Sequence, residues 1–369
     1  MTRLDDSSTL SQLTDGARVL VCCGSGGVGK TTAAAAIGIE AARRGRKAVV
    51  VTIDPARRLA DALGLPGGLT GEPQRVPLET GDGELWAMML DTPAMFERVV
   101  RAHADDDEQA DRIVENRFYR NIAGALSGTQ EYMASEALHE LHGDDRFDLV
   151  VVDTPPSRNA LDFLEAPGVL ARFLDHRVFK FLMMPTRTGM KVFSVATQPI
   201  LRAIGRVVGS DVLADAVAFF QAFAGMDVGF RERAEEVTAL LHDDTTAFLL
   251  VSTPQHDAIA EAAWFADQLG EQGFSAAAAV VNRLHPRFGD GSVRDAEQRA
   301  ATASERGEHD VAALWANLAE LRAIADAERA ELAPLVARVG ADHVVGVPLL
   351  PTDVHDVESL ALMGDHLYR

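Results

Sequence analysis

The stretch that decides the fold is residues 19–32, which read VLVCCGSGGVGKTT. An apolar run typical of a buried strand leads into a glycine-rich loop that satisfies the pattern G-x-x-x-x-G-K-[ST]. Glycines let backbone N–H groups turn toward phosphate oxygens, and the start of the following helix adds a favourable dipole. The predicted phosphate-binding residues are Gly24, Ser25, Gly26, Gly27, Val28, Gly29, Lys30, Thr31 and Thr32.

Three side chains at the end of this loop have individual predicted roles. Lys30 is expected to contact the β- and γ-phosphates of a nucleotide, and the Thr31 hydroxyl to bind Mg²⁺. Thr32 follows one residue later and is positioned for a further phosphate contact.

A second candidate is Asp54, which opens the stretch DPARRLAD directly after the apolar run 47–53. An acid at the carboxyl end of a strand lies on the side where doubly wound sheets bind ligands. Asp54 is therefore predicted to face the γ-phosphate and orient the attacking water. An Asp-Pro pair after a strand is otherwise a common helix cap or turn, so this role depends on the phosphate loop.

The third candidate is Asp153, which ends the apolar run of VVVDTPPSRNALDFLEAP at 150–167. An aspartate that ends a strand downstream of a phosphate loop is the usual second Mg²⁺ partner. We expect it to act through a water molecule.

Short apolar runs alternate with helical stretches from residue 17 onward, and the runs are nearly continuous in Val, Leu and Ala. This pattern is typical of strands buried on both faces by helices. The fold class is therefore predicted to be α/β, a doubly wound and mostly parallel sheet. The predicted strands are 18–23, 47–53, 147–152, 246–252, 276–282 and 343–349.

The domain prediction is a loose polar leader at 1–16 and a single domain at 17–369. Two helical interruptions, about 92–146 and 168–240, are assigned to an inserted helical subdomain. The second contains eight of the 16 Phe, which form either an ordinary subdomain core or a Phe- and Met-rich surface for apolar clients or a partner. Residues 292–338 are predicted to form one or two exposed amphipathic helices.

The composition excludes some partners. A formal net charge of −20 disfavours nucleic acids and anionic membrane surfaces, because both require clustered Lys and Arg. No apolar run is long enough for a membrane-spanning helix. Cys22 and Cys23 are adjacent in a predicted strand and should point to opposite faces, so they form no disulfide framework. We therefore expect a cytoplasmic protein.

Five motifs in this order resemble the family of arsenite-pump and tail-anchored-protein-targeting ATPases: GSGGVGKTT, DPARRLAD, DTPPSRNALDFL, VVNR and PLLPTDV. This family belongs to the deviant Walker A class of P-loop ATPases. The resemblance covers about 17–369 and implies a Mg-ATP-dependent ATPase that opens and closes as a dimer around two nucleotides. It also implies that Asp54 positions water, that Asn282 reads the adenine edge and that Pro351 flanks the base.

Ser25 departs from the family pattern, which has a lysine there that reaches the partner's phosphates. One explanation is a heterodimer in which a paralogous ATPase subunit retains the lysine. The other is a self-dimer with a substitute cation in the same chain, either Arg158 or one of Arg57 and Arg58. The cysteines that would bind zinc or arsenite in the family are also missing.

The function predicted from these residues is an ATPase that couples nucleotide state to client or partner binding through the helical subdomain. The first alternative is a nucleotide-binding regulatory subunit with little hydrolysis of its own, which Ser25 favours and Asp54 disfavours. The second is a positioning ATPase of the ParA or MinD type. The C-terminal stretch DVESLALMGDHLYR is not basic, which disfavours a role that depends on DNA or membrane.

Overall fold

One eight-stranded sheet organises the chain in the computed structural model. The structure describes residues 8–54, 58–117, 119, 129–175 and 210–368, without the side chains of 8, 157–159, 173 and 210–213. The strands are β1 (Val19–Cys23), β2 (Lys47–Thr52), β3 (Gln74–Arg75), β4 (Glu84–Met89), β5 (Leu149–Asp153), β6 (Thr246–Ser252), β7 (Ala276–Leu284) and β8 (Val344–Pro348). All six predicted strands are present, and the predicted fold class is confirmed.

Helices connect these strands. Those of the described residues are α1 (Ser8–Gly16), α2 (Lys30–Arg43), α3 (Arg58–Ala62), α4 (Thr92–His103), α5 (Asp107–Val114), α6 (Thr129–His142), α7 (Ser157–Asp175), α8 (Ser210–Ala222), α9 (Asp227–Leu241), α10 (His256–Glu271), α11 (Val293–Glu305), α12 (His309–Glu331), α13 (Ala333–Val339) and α14 (Val357–Leu367). A short 3₁₀ helix, Ala341–His343, precedes β8.

The strand order is β3-β4-β2-β5-β1-β6-β7-β8, and every pairing except β3 with β4 is parallel. The chain leaves β1 toward β2 on one side and later continues to β6 on the other. β1 therefore lies where the direction of the strand order reverses. Ligands of open α/β sheets bind outside the carboxyl ends of the strands at such a point.

The hydrophobic core lies on both faces of the sheet, because buried strand residues alternate between them. Val19 and Val21 contribute to the core on one face, and Leu20 to the core on the other. Cys22 lies on the face of Leu20 and Cys23 on that of Val21. The prediction that the two cysteines point to opposite faces is confirmed.

The described part of the aromatic-rich region packs into one of these cores. Phe219, Phe223 and Phe230 are all buried, and Phe219 lies parallel to Tyr119 with ring centroids 6.0 Å apart. For these residues the structure supports a subdomain core rather than an exposed surface. Phe179, Phe181, Phe193, Met183, Met184 and Met190 lie outside the described residues.

The expectation of a loose leader is wrong for residues 8–16, which form α1. Leu10 and Thr14 are fully buried. Thr14 Oγ1 also lies 2.6 Å from the Tyr368 hydroxyl at the other end of the chain. The polar composition hid this helix, because only a few buried side chains dock it.

None of the helices in the described ranges combines the length and the hydropathy needed to cross a lipid bilayer.

Candidate nucleotide-binding site

The glycine-rich loop has the backbone conformation that its glycines permit. Gly27 and Gly29 have φ angles of 80° and 100°, in the left-handed region that favours glycine. Gly29 directly precedes α2, which begins at Lys30. The backbone N–H groups of the first turn of α2 therefore point toward the loop, where they can bind an anion.

Neighbouring strands approach this loop too closely for larger residues. A Cβ at Gly24 would overlap the carbonyl oxygen of Val251 in β6, and one at Gly29 would overlap the side-chain amide of Asn282 in β7. The same amide, Nδ2, donates a hydrogen bond to the Val28 carbonyl oxygen over 3.0 Å. The loop is therefore held by the carboxyl ends of β6 and β7.

Lys30 is the one buried lysine among the described residues, with 8% of its surface exposed. Its Nζ donates to the carbonyl oxygen of Ser25 over 2.8 Å, across the mouth of the loop. Burial lowers the pKa of Lys30, and the neighbouring carboxylates of Asp153 and Asp54 oppose this shift. An ammonium group held in this way lacks a full set of partners and favours a bound anion.

Asp153 lies fully buried at the end of β5. Its Oδ2 accepts hydrogen bonds from the hydroxyls of Thr31 (2.7 Å) and Thr52 (2.9 Å). Its Oδ1 is buried and has no hydrogen-bond partner among the described residues. Burial raises the pKa of Asp153, although the two hydroxyls oppose the shift.

This arrangement fits Mg²⁺. A hydroxyl and a carboxylate with a spare oxygen are hard oxygen donors of the kind that Mg²⁺ prefers, directly or through water. Thr31 and Asp153 would hold the cation, which would neutralise charge on the nucleotide phosphates. An unpartnered buried oxygen costs free energy unless a ligand or water satisfies it.

A cavity of about 420 Å³ lies over the loop. Asp54 and Arg58 line one part of it, and Val354 and His355, from the loop after β8, line another. The remaining lining residues are Gly26, Gly27, Gly29, Lys30, Thr31, Thr32, Asp61, Ala62, Thr154, Pro156 and Arg283. Predicted phosphate, Mg²⁺ and water-positioning residues therefore meet at one cavity.

A second cavity, of about 490 Å³, lies against the same loop. Ser25 lines it together with Arg283, His285 and the acidic residues Asp257, Glu261 and Glu328. Ser25 thus presents a neutral hydroxyl beside a mixed-charge cavity.

Two predicted site residues, Asn282 and Pro351, do not line the first cavity. Asn282 contacts the loop backbone, as described above. Pro351 is exposed in the turn after β8 and does not line either cavity, whereas Val354 and His355 of the same loop line the first. Arg57 and the side chain of Arg158 lie outside the described residues.

Sequence reasoning missed two residues of this site. Thr52 bonds Asp153, and its signal was a polar residue that ends the apolar run of β2. Arg283 lines both cavities and follows Asn282 in VVNR. No local pattern distinguished it from an ordinary surface arginine.

Comparison with known proteins identifies the family. The model of the anion-transporting ATPase family matches residues 17–308. Protein Rv2184c of Mycobacterium tuberculosis is 31% identical over 323 residues, which cover 78% of this chain and 71% of that protein. The ATPase GET3 of Malassezia globosa is 26% identical over 288 residues, with 77% and 78% covered.

The putative arsenical pump-driving ATPase 1 of Aquifex aeolicus is 25% identical over 278 residues, which cover 73% of this chain and 64% of that protein. Two of these three relatives are named as ATPases, and the phosphate loop lies within the matched range. The chain belongs to the anion-transporting ATPase family and is an ATPase of that family.

Proposed function

We propose that this chain binds Mg-ATP in the 420 Å³ cavity and hydrolyses it there, and that nucleotide state controls the binding of a client or partner. The observation that carries the proposal is Asp153, whose Oδ2 is held by two hydroxyls while its buried Oδ1 has no hydrogen-bond partner in the described part of the chain. A buried carboxylate arranged in this way is available to a cation–water complex beside the phosphate loop.

Each loop residue has a role on this proposal. Backbone N–H groups from Gly26 to Thr32 surround the phosphates, and Lys30 neutralises charge on the β- and γ-phosphates. Asp54 accepts a hydrogen bond from the attacking water and orients it toward the γ-phosphate. Asn282 and Pro351 are proposed to lie beside the base.

The helical part of the chain contacts the segment of Asp54 directly. Gln130, in the first turn of α6, donates from Nε2 to the carbonyl oxygen of Ile53 over 3.0 Å. Ile53 immediately precedes Asp54 in sequence. A shift of Asp54 on nucleotide binding or hydrolysis would therefore pull on α6, which supports coupling between the nucleotide and the helical subdomain.

We propose that the functional assembly is a heterodimer with a paralogous subunit that retains the lysine missing at Ser25. Such a partner would add a cation to the site of this chain, whereas this chain would add none to the partner's site. Ser25 also favours the second candidate function, a regulatory subunit that holds nucleotide with little hydrolysis.

Calorimetry and turnover measurements test the proposal. The purified chain should bind a non-hydrolysable Mg-ATP analogue, and ATP turnover should rise when a lysine-bearing paralogue is added. Asp54→Asn should retain binding and lose turnover. Binding without turnover under both conditions would favour the regulatory subunit, and an absence of binding would refute both functions.

The intramolecular alternative has its own test. Strong turnover by the chain alone, abolished by Arg158→Ala, would favour a substitute cation within the chain over the heterodimer. Gln130→Ala tests the coupling, because it should weaken the effect of nucleotide on partner binding while nucleotide affinity is kept.

A further inference from the structure

Arg283 has an unusual backbone conformation. Its φ is 63°, and among the described residues it is the only one other than glycine in the left-handed region. The pairing of β7 with β8 is interrupted at this point, between Val281 and Leu284. Side chains with a Cβ rarely adopt this conformation, and such residues cluster at functional sites.

The position of Arg283 is fixed by its neighbour. Asn282 is buried and bonded to the Val28 carbonyl of the phosphate loop. The left-handed turn that follows places Arg283 at the walls of both cavities, next to Gly26 and Gly27. A strand that continued normally would put the next residue on the opposite face of the sheet.

The guanidinium of Arg283 is exposed and forms no ion pair or hydrogen bond with any described residue. Two basic residues that follow it in the chain are paired. His285 Nδ1 lies 2.6 Å from Glu328 Oε1, and Arg287 Nε lies 2.7 Å from Asp326 Oδ1. Arg283 therefore combines a constrained backbone at the rim of the loop with a guanidinium that is unpaired among the described residues.

We propose that Arg283 binds the phosphate chain of a nucleotide held in the same subunit, where it supplies part of the positive charge that the loop lacks at Ser25. This inference depends on the nucleotide binding proposed above. A guanidinium forms two parallel hydrogen bonds with phosphate oxygens, so a single arginine can fix both position and charge.

Calorimetric titration with Mg–AMP-PNP tests this role in the full chain. Arg283→Ala should weaken binding about tenfold, and Arg283→Gly equally, because glycine keeps the left-handed backbone and removes only the guanidinium. Arg283→Lys should fall between these variants and wild type. Arg294→Ala, which removes an exposed arginine from α11 outside both cavities, should bind like wild type.

A spectroscopic readout identifies the contact. At least one ³¹P resonance of bound AMP-PNP should shift in Arg283→Gly relative to wild type and not in Arg294→Ala. Wild-type affinity and an unchanged ³¹P spectrum in Arg283→Gly would overturn the inference, as would weak binding confined to Arg283→Ala. Failure of the wild-type chain to bind AMP-PNP would instead refute the proposed function, and the role of Arg283 with it.

Discussion

Two buried carboxylates, Asp153 at the carboxyl end of the central strand β5 and Glu136 in the helical region, are similarly buried but have different partners. They are 0% and 2% exposed, and burial raises the pKa of both. Glu136 accepts a hydrogen bond from the Tyr132 hydroxyl at one oxygen and forms an ion pair with Arg233 Nε at the other, over 3.1 Å. Asp153 has two hydroxyl donors at one oxygen, and at the other it has no hydrogen-bond partner within the described ranges.

This difference in partners distinguishes an acid that stabilises the fold from one that is proposed to bind a ligand. When both oxygens of a buried carboxylate are partnered, removal of the acid leaves a charge or a donor unsatisfied. When one oxygen is unpartnered, it is available to a ligand or to an ordered water. Glu136 therefore belongs to the packing of α6 against α9, whereas Asp153 is proposed to belong to the nucleotide site.

The largest expected effect comes from a substitution in the proposed nucleotide site. Lys30→Met should lower ATP turnover by about 10³-fold or more, because it removes the positive charge next to the transferred phosphate. The free energy of unfolding should stay close to wild type, since the buried ammonium already lacks a full set of partners. Lys47→Met is the matched control, because Lys47 is exposed at the start of β2. Equal turnover in the two variants would remove Lys30 from the site.

Glu136→Ala should act on stability instead. It leaves Arg233 without its buried partner, so the free energy of unfolding measured in urea should fall by about 3 kcal/mol. Turnover per folded molecule should be unchanged.

Glu236 provides the matched control for Glu136. Its carboxylate lies 3.4 Å from Arg233 Nη1, but its side chain is 58% exposed. Glu236→Ala should therefore change stability by less than about 1 kcal/mol. A similar loss of stability in both variants would mean that burial does not distinguish the two acids.

Asp153→Asn should lower turnover and leave stability nearly unchanged, which is the reverse of what we expect for Glu136→Ala. The amide can still accept from Thr31 and Thr52, so we expect the free energy of unfolding to stay within about 1 kcal/mol of wild type. Turnover that depends on Mg²⁺ should fall about 10²-fold, because the ligand charge is lost. A severe loss of stability without a change in the Mg²⁺ requirement would make Asp153 a structural residue like Glu136.

The smallest expected effect is the pH dependence of stability in the nucleotide-free chain. The raised pKa of Asp153 means that the folded state binds its proton more tightly than the unfolded state. Wild-type stability should therefore fall, relative to Asp153→Asn, as pH rises from the ordinary aspartate range through the raised value. Mg-ADP should reduce this fall in wild type because the cation favours the ionised form. A difference between the two proteins that does not vary with pH would contradict the prediction.

Local sequence patterns were sufficient to predict much of the fold and the phosphate loop. Apolar runs marked six of the seven parallel strands, and glycine spacing marked the loop before α2. Such patterns were insufficient for β4, which reads ELWAMM and mixes Glu, Ala and Met of low strand propensity at a position near the sheet edge. They also missed α1, whose polar sequence contains few buried residues.

The sequence by itself determined which side chains are proposed for nucleotide chemistry: Lys30, Thr31, Asp54 and Asp153. Only the tertiary structure decided their partners. Thr52 and Asp153 are 101 positions apart and meet because β2 pairs with β5. Asn282 reaches the loop, and Arg283 turns beside it, because β6 and β7 follow β1 in the sheet. Periodicity and spacing encode local conformation, whereas contacts between distant residues depend on the strand order.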